Sequence, residues 1–258
     1  MCIRDKTETE GAIRIDTNPE DYSLTSQWYS AQSGQFSATR VFGVYEDLLG
    51  NEWILSDNGL GMLTAGQTTP TSYFVDAAER EKKGGQAFYS CLEYNSEIYF
   101  GSDNGRVWCY QKENGQFQLQ NLPASSRIVS INSVEGNELI FTTAKDGFFS
   151  YQPKTKAIEH FPASRFPNAS IHSVYVDKAS EVWFEQHIPG TVVHFNPRTR
   201  ILKQEKVPVE PTSTDRSRPA FHIHEDINGV LWVHPYGGGF SYFDRKSNSL
   251  HPFYNSLS

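Results

Sequence analysis

Three histidines gather in the last quarter of the chain, His222, His224 and His234, with Glu225 beside them. Imidazoles two apart on a strand share a face, and with a carboxylate nearby they are a conceivable metal set. No matching pair recurs elsewhere in the chain, so these histidines are read as hydrogen-bonded lining groups, and no metal or cofactor is expected. Hydrolysis of a glycosidic bond would need two carboxylates about 5–10 Å apart across a pocket. The sequence brings no such pair together. Nucleophile-elbow, zincin and phosphate-loop motifs are missing, and Gly237-Gly238-Gly239 precedes no helix pattern. No catalytic residue is assigned, and an enzyme is not expected.

What remains is recognition. Planar amides, carboxylates and guanidinium forks hydrogen-bond hydroxyl groups, and aromatic rings stack on the apolar face of a sugar. Groups of this kind sit in short variable segments: Asp57, Asn58, Asp103, Asn104, Lys145, Asp146, His187, His234 and Tyr236, with Arg216 and Arg218 in a longer loop. These are the candidate ligand-binding residues. The competing reading is that they are solvated loop residues.

The elements that must position them come from a repeat. Val44-Tyr45-Glu46-Asp47…Gly50…Trp53-Ile54-Leu55, Val174-Tyr175-Val176-Asp177…Trp183-Phe184 and Ile223-His224-Glu225-Asp226…Gly229…Leu231-Trp232-Val233 are copies of one pattern. An aromatic or apolar column runs Cys2, Trp53, Tyr99, Ile140, Trp183 and Trp232. A glycine column runs Gly11, Gly59, Gly105, Gly147, Gly190 and Gly239. Repeats of this length mark stacked architectures, in which one unit cannot bury its own faces.

Each copy holds four short alternating runs separated by turn residues. The chain is therefore expected to be all-β, a single β-propeller domain over 1–258. Five full blades are expected at about 41–75, 86–122, 127–162, 170–207 and 220–255, with a partial blade over 1–29 that has only its last three runs. Either the chain is a piece of a longer propeller or its start lies upstream. A sheet short of one strand leaves an edge that invites association, so an incomplete six-bladed ring, an open arc or strand exchange in a homodimer are the expected outcomes. Turn positions such as Asp47, Asp177 and Asp226 are read as residues that bond the nearby backbone.

Bulk properties narrow the partners. A formal charge of −7 argues against nucleic acid and anionic membrane surfaces. No apolar run reaches helix-spanning length, and residues 1–6 lack the apolar core of a secretory signal. Cys2, Cys91 and Cys109 lack zinc spacing, and Cys91 and Cys109 are expected to be small buried thiols. With an aromatic share of 14%, large rings supply much of the buried area.

The repeats resemble two-component regulator propeller repeats, found in the sensor regions of hybrid two-component proteins of gut Bacteroidetes. Glu46-Asp47…Gly50…Trp53-Ile54 and Glu225-Asp226…Gly229…Leu231-Trp232-Val233…Gly239…Tyr242-Phe243-Asp244 carry the resemblance. Ile98-Tyr99-Phe100-Gly101-Ser102 with Asn104-Gly105, and Leu139-Ile140-Phe141-Thr142-Thr143, extend it. The resemblance implies a periplasmic ligand-sensing region that answers to an oligosaccharide or other small molecule and works with the remainder of its sensor protein. Kinase motifs do not occur in the chain. The alternatives are a propeller scaffold for protein–protein assembly and, behind it, a propeller lyase or glycoside hydrolase.

Overall fold

The computed structural model describes residues 3–7, 11–15, 22–24, 38, 40–67, 70–74, 87–166, 170–186, 191–207, 221–235 and 240–254. The chain divides into two compact units, Met1–Ile128 and Val129–Ser258, described here separately. In the first unit a three-stranded sheet contains β1 (Ile3–Thr7), β2 (Gly11–Ile15) and β3 (Tyr22–Leu24). A four-stranded sheet follows with β4 (Val41–Glu46), β5 (Glu52–Ser56), β6 (Gly59–Leu63) and β7 (Thr71–Tyr73). The next has β8 (Phe88–Tyr94), β9 (Glu97–Ser102), β10 (Arg106–Gln111) and β11 (Gln116–Asn121).

The second unit repeats the plan from the start of its first sheet, which holds β12 (Ile128–Val134), β13 (Glu138–Thr143), β14 (Gly147–Gln152) and β15 (Ala157–Pro162). Then come β16 (Ile171–Val176), β17 (Val182–Gln186), β18 (Thr191–Asn196) and β19 (Ile201–Lys206). The last sheet has β20 (Phe221–Glu225), β21 (Leu231–Pro235), β22 (Phe240–Asp244) and β23 (Ser249–Tyr254). Strands pair in sequence order and antiparallel, as alternating runs joined by tight turns dictate. Among the described residues the sheets are the expected five of four strands and one of three.

In three of the blades the first turn is locked by one carboxylate. Asp47 Oδ1 accepts the backbone N–H of Leu49 (2.9 Å) and Asn51 (3.0 Å), while Oδ2 accepts the indole N–H of Trp53 at 3.0 Å. Asp177 does the same with Ala179, Glu181 and Trp183. Asp226 repeats it with Asn228, Val230 and Trp232. The expected turn-forming role holds, and the sequence reading missed its second half. The same side chain reaches the first core tryptophan of the next strand. Trp53 and Trp183 are fully buried, so their indole N–H groups need an acceptor at that depth. Fully burying such a ring is worth roughly 4–6 kcal/mol at the usual area coefficient.

Neighbouring blades are then clamped through these turns. Glu93 Oε2 on β8 accepts the backbone N–H of Leu48 (2.8 Å) and the Tyr45 hydroxyl (3.2 Å), and Lys112 pairs with Glu93 and lies 3.9 Å from Asp47. In the second unit Glu225 accepts the N–H of Lys178 at 2.7 Å, and Arg245 reaches Asp177 at 3.0 Å and Glu225 at 3.5 Å. Burial first, then the Glu93 charge, pushes the Tyr45 hydroxyl well above its ordinary value, so it stays a donor. Cores form between sheets: Trp53, Phe74, Phe88, Phe100 and Trp108 in one cluster, Phe148, Phe161, Phe184 and Phe195 in another. Cys109 is buried, and Cys91 is partly covered, its thiol pushed by burial up to about 12.

Candidate functional site

The second turn of a blade, expected to carry recognition groups, is built in two of the blades on a hydroxyl at the end of the second strand. Ser56 Oγ donates to the Gly59 carbonyl and accepts the Asn58 N–H; Thr143 Oγ1 does the same for Gly147 and Asp146. Asp103, Asn104 and Gly105 form a tight turn in which Asn104 and Gly105 take φ of 57° and 67°. A Cβ on Gly105 would lie 2.5 Å from that of Ala124, so only glycine fits. These turns are rigid platforms.

A second recurring device aims side chains beside them. The register slips between Val41 and Gly43, between Phe88 and Ser90, and between Ile171 and Ser173. The extra residue in each bulge is Phe42, Tyr89 or His172. Bulges redirect a side chain at the end of a pairing.

In the first unit this assembles a compact group. The Tyr89 hydroxyl donates to Asp103 Oδ1 at 3.1 Å. The Arg127 guanidinium lies 5.1 Å from the centre of the Tyr89 ring, and the Phe42 ring is 4.6 Å from it. Tyr89 and Asp103 are half-buried, whereas Arg127 and Asn104 are exposed. Burial and then the Asp103 charge raise the Tyr89 pKa, with Arg127 partly offsetting them. The phenol is therefore a proton donor throughout the neutral range. The arrangement offers a fork of guanidinium donors, an amide and a carboxylate on an aromatic base, the chemistry that binds clustered hydroxyls or an acidic sugar.

The structure thus gathers Asp103 and Asn104 with three residues the sequence reading missed: Phe42, Tyr89 and Arg127. The available signal was a column of rings at the second position of the first runs, Phe42, Tyr89, His172 and His222. Asp57 and Asn58 lie half-buried in the same unit, where the Asp57 N–H bonds the Arg40 carbonyl at 3.1 Å.

Lys145, Asp146 and His234 belong to the second unit. Lys145 is exposed, and the Asp146 carbonyl is 2.9 Å from His160 Nε2. His234 stands with His222 and His224, at ring-centre separations of 5.3 and 6.2 Å. Glu185 is 3.9 Å from His222 Nδ1, accepts the Ile223 N–H at 2.9 Å and is bonded by Ser173. Among the described residues no three His, Cys, Asp or Glu side chains converge as a metal set. His187, Arg216, Arg218 and Tyr236 lie outside the described residues.

Comparison with known proteins gives the fold a place. No family model matches the sequence, and no curated protein matches it. Among solved structures, the chain is similar to the extracellular domain of a putative one component system from B. thetaiotaomicron. There the TM-score is 0.68 at 16% identity over 98% of this chain. A structure described as the extracellular domain of a putative hybrid two component system of the same organism gives 0.58 at 14% identity over 98% of this chain. Virginiamycin B lyase from Staphylococcus aureus gives 0.66 at 16% identity, covering 99% of this chain and 84% of the lyase. The chain spans only 35% and 40% of the two extracellular domains.

Proposed function

The fold is an all-β propeller assembly of five four-stranded blades and one partial blade. From that premise we propose that the chain is the ligand-sensing part of an extracytoplasmic receptor of the hybrid two-component type, and that its signal is an oligosaccharide. One observation carries this reading: the exposed Arg127 guanidinium lies over the ring of Tyr89, whose hydroxyl bonds Asp103, with the exposed Asn104 next along the same turn. Support for the sensory context comes from the likeness to extracellular sensor domains, and from −7 net charge, which suits neutral or cation-bearing ligands better than polyanions.

A periplasmic location and a partnership with the remaining sensor segments belong to the same proposal. Among the described residues no helix is long and apolar enough to cross a membrane. Signalling would follow from a difference in ligand affinity between two arrangements of the receptor, since equal affinity shifts no equilibrium.

The test is calorimetric titration with a panel of neutral and uronic-acid oligosaccharides. Arg127→Ala and Asp103→Ala should each weaken binding about tenfold or more, while Lys145→Ala, in the other unit, should not. Binding that ignores Arg127 and Asp103 overturns this site. A second reading, a propeller lyase, is favoured by the Glu185–His222 contact beside His234. Turnover of a polysaccharide that is lost in Glu185→Gln would establish it in place of sensing.

A further inference from the structure

In a chain with 30 acidic and 23 basic side chains, a guanidinium is expected to meet a carboxylate. Arg198 meets Glu135, Arg200 meets Glu138 at 2.7 Å, and Arg245 meets Asp177 at 3.0 Å. Arg127 does not. Among the described residues no carboxylate pairs with it, and its guanidinium lies 5.1 Å from the centre of the Tyr89 ring while remaining exposed. The acid of this group, Asp103, takes the Tyr89 hydroxyl instead, at 3.1 Å. Arg165 also lies over a ring, but that ring, Phe161, is buried, whereas Tyr89 is half-buried.

The cation is also positioned in advance. Tyr89 is the extra residue of the β8 bulge, its ring is backed by Phe42 at 4.6 Å, and its hydroxyl is tied to Asp103. The Asp103 turn is in turn fastened by the Gly105 N–H on the Ser126 carbonyl at 2.8 Å, one residue before Arg127. The N–H donors of a guanidinium lie in its plane, in a fork that matches the two oxygens of a carboxylate. Holding that fork in place before binding lowers the cost of ordering it. Asn104 follows Asp103 in the same turn and is exposed, and an amide serves sugar hydroxyls as both donor and acceptor.

We propose that the oligosaccharide taken by this site is acidic and presents a single sugar carboxylate to Arg127, which is the specificity-determining residue. A uronic acid and a sialic acid share this chemistry. The inference rests on the oligosaccharide reading of the site and narrows it to one class. One carboxylate fits better than several. Asp103 belongs to the same group and the chain carries a formal charge of −7, so each further negative charge on the ligand meets repulsion. Because the guanidinium is exposed, salt screens the attraction.

The test is calorimetry on the full chain with aldobiouronic acids (one uronate on a neutral sugar), sialyllactose, the carboxamide of each, and a triuronate charged on every unit. A singly charged acid of the uronate or the sialic arm should bind about five- to tenfold more tightly than its carboxamide at low salt, with the gap shrinking as salt rises. Arg127→Gln should remove the gap, and Arg127→Lys, which keeps the charge without the fork, should keep part of it. Equal binding of acid and carboxamide to the wild-type chain, or binding confined to neutral sugars, overturns the acidic class and leaves the oligosaccharide reading standing. A gap that survives Arg127→Gln, or a triuronate that binds more tightly per carboxylate than the singly charged acids, overturns the class as well. Binding of no saccharide overturns both. The comparison of acid with carboxamide on the wild-type chain stands whether or not a variant folds.

Discussion

Replacing Asp47 by asparagine tests the carboxylate–indole lock. The side chain keeps its shape, and its remaining oxygen still accepts the N–H groups of Leu49 and Asn51. Its amide nitrogen then faces Trp53 Nε1, which now lies 3.0 Å from a carboxylate oxygen. A donor meets a donor at a ring with no solvent exposure. Leaving one buried N–H without an acceptor costs about 1–3 kcal/mol, and the lost charge assistance on the backbone bonds adds to it, for a total of about 2–4 kcal/mol.

Urea unfolding at pH 7 reads this as a lower midpoint at unchanged slope. The same substitution in a Trp53→Phe background isolates the indole bond, because the cavity left by the smaller ring enters both arms and cancels. A coupling of about 1.5–3 kcal/mol is expected. Coupling under about 0.5 kcal/mol would refute the claim that the indole bond stabilises the blade. Acid gives a second check. Burial alone would raise the Asp47 pKa, but bonds from Asn51, Trp53 and the backbone outweigh it and hold the carboxyl below its ordinary value. A group depressed in the folded state contributes stability above its unfolded pKa of about 3.9 and loses it as pH falls through the folded value. The gap between wild type and Asp47→Asn should therefore narrow on acidification below about pH 4.

Arg245→Ala removes the clamp on Asp177, whose side chain is fully buried, and should cost about 1–3 kcal/mol in urea unfolding; the exposed Arg198→Ala should cost under about 1 kcal/mol. Gly147→Ala should destabilise far more than Gly50→Ala, as thermal midpoints would show. Both have positive φ, but a Cβ at Gly147 would lie 2.1 Å from the Phe161 carbonyl oxygen whereas Gly50 has open space. Tyr89→Phe should leave the fold intact by circular dichroism and weaken oligosaccharide binding, since it removes only the donor to Asp103.

Blade number and strand order were legible because each run alternates and each turn carries its own chemistry, so local choices agree with the global arrangement. The aspartates of the first turns could be read as turn formers for the same reason. Their bonds to tryptophans six residues on could not, because the spacing alone does not reveal that the ring folds back over the turn. The recognition group was half legible. Asp103 and Asn104 announce themselves as a turn. Tyr89 and Arg127 are brought to it by a bulge and by the entry to the next strand, and a strand's alternation does not show where one residue is slipped in.

Glu225 and Arg245 hold the Asp177 turn against the sheet that follows it, so protection should be graded along the second unit. Trp183 is sealed by Phe243 at 4.8 Å and by Arg245 on its aspartate, while Trp232 is only half-buried, against Phe253 of its own sheet. The indole proton of Trp232 should therefore exchange with solvent well before that of Trp183.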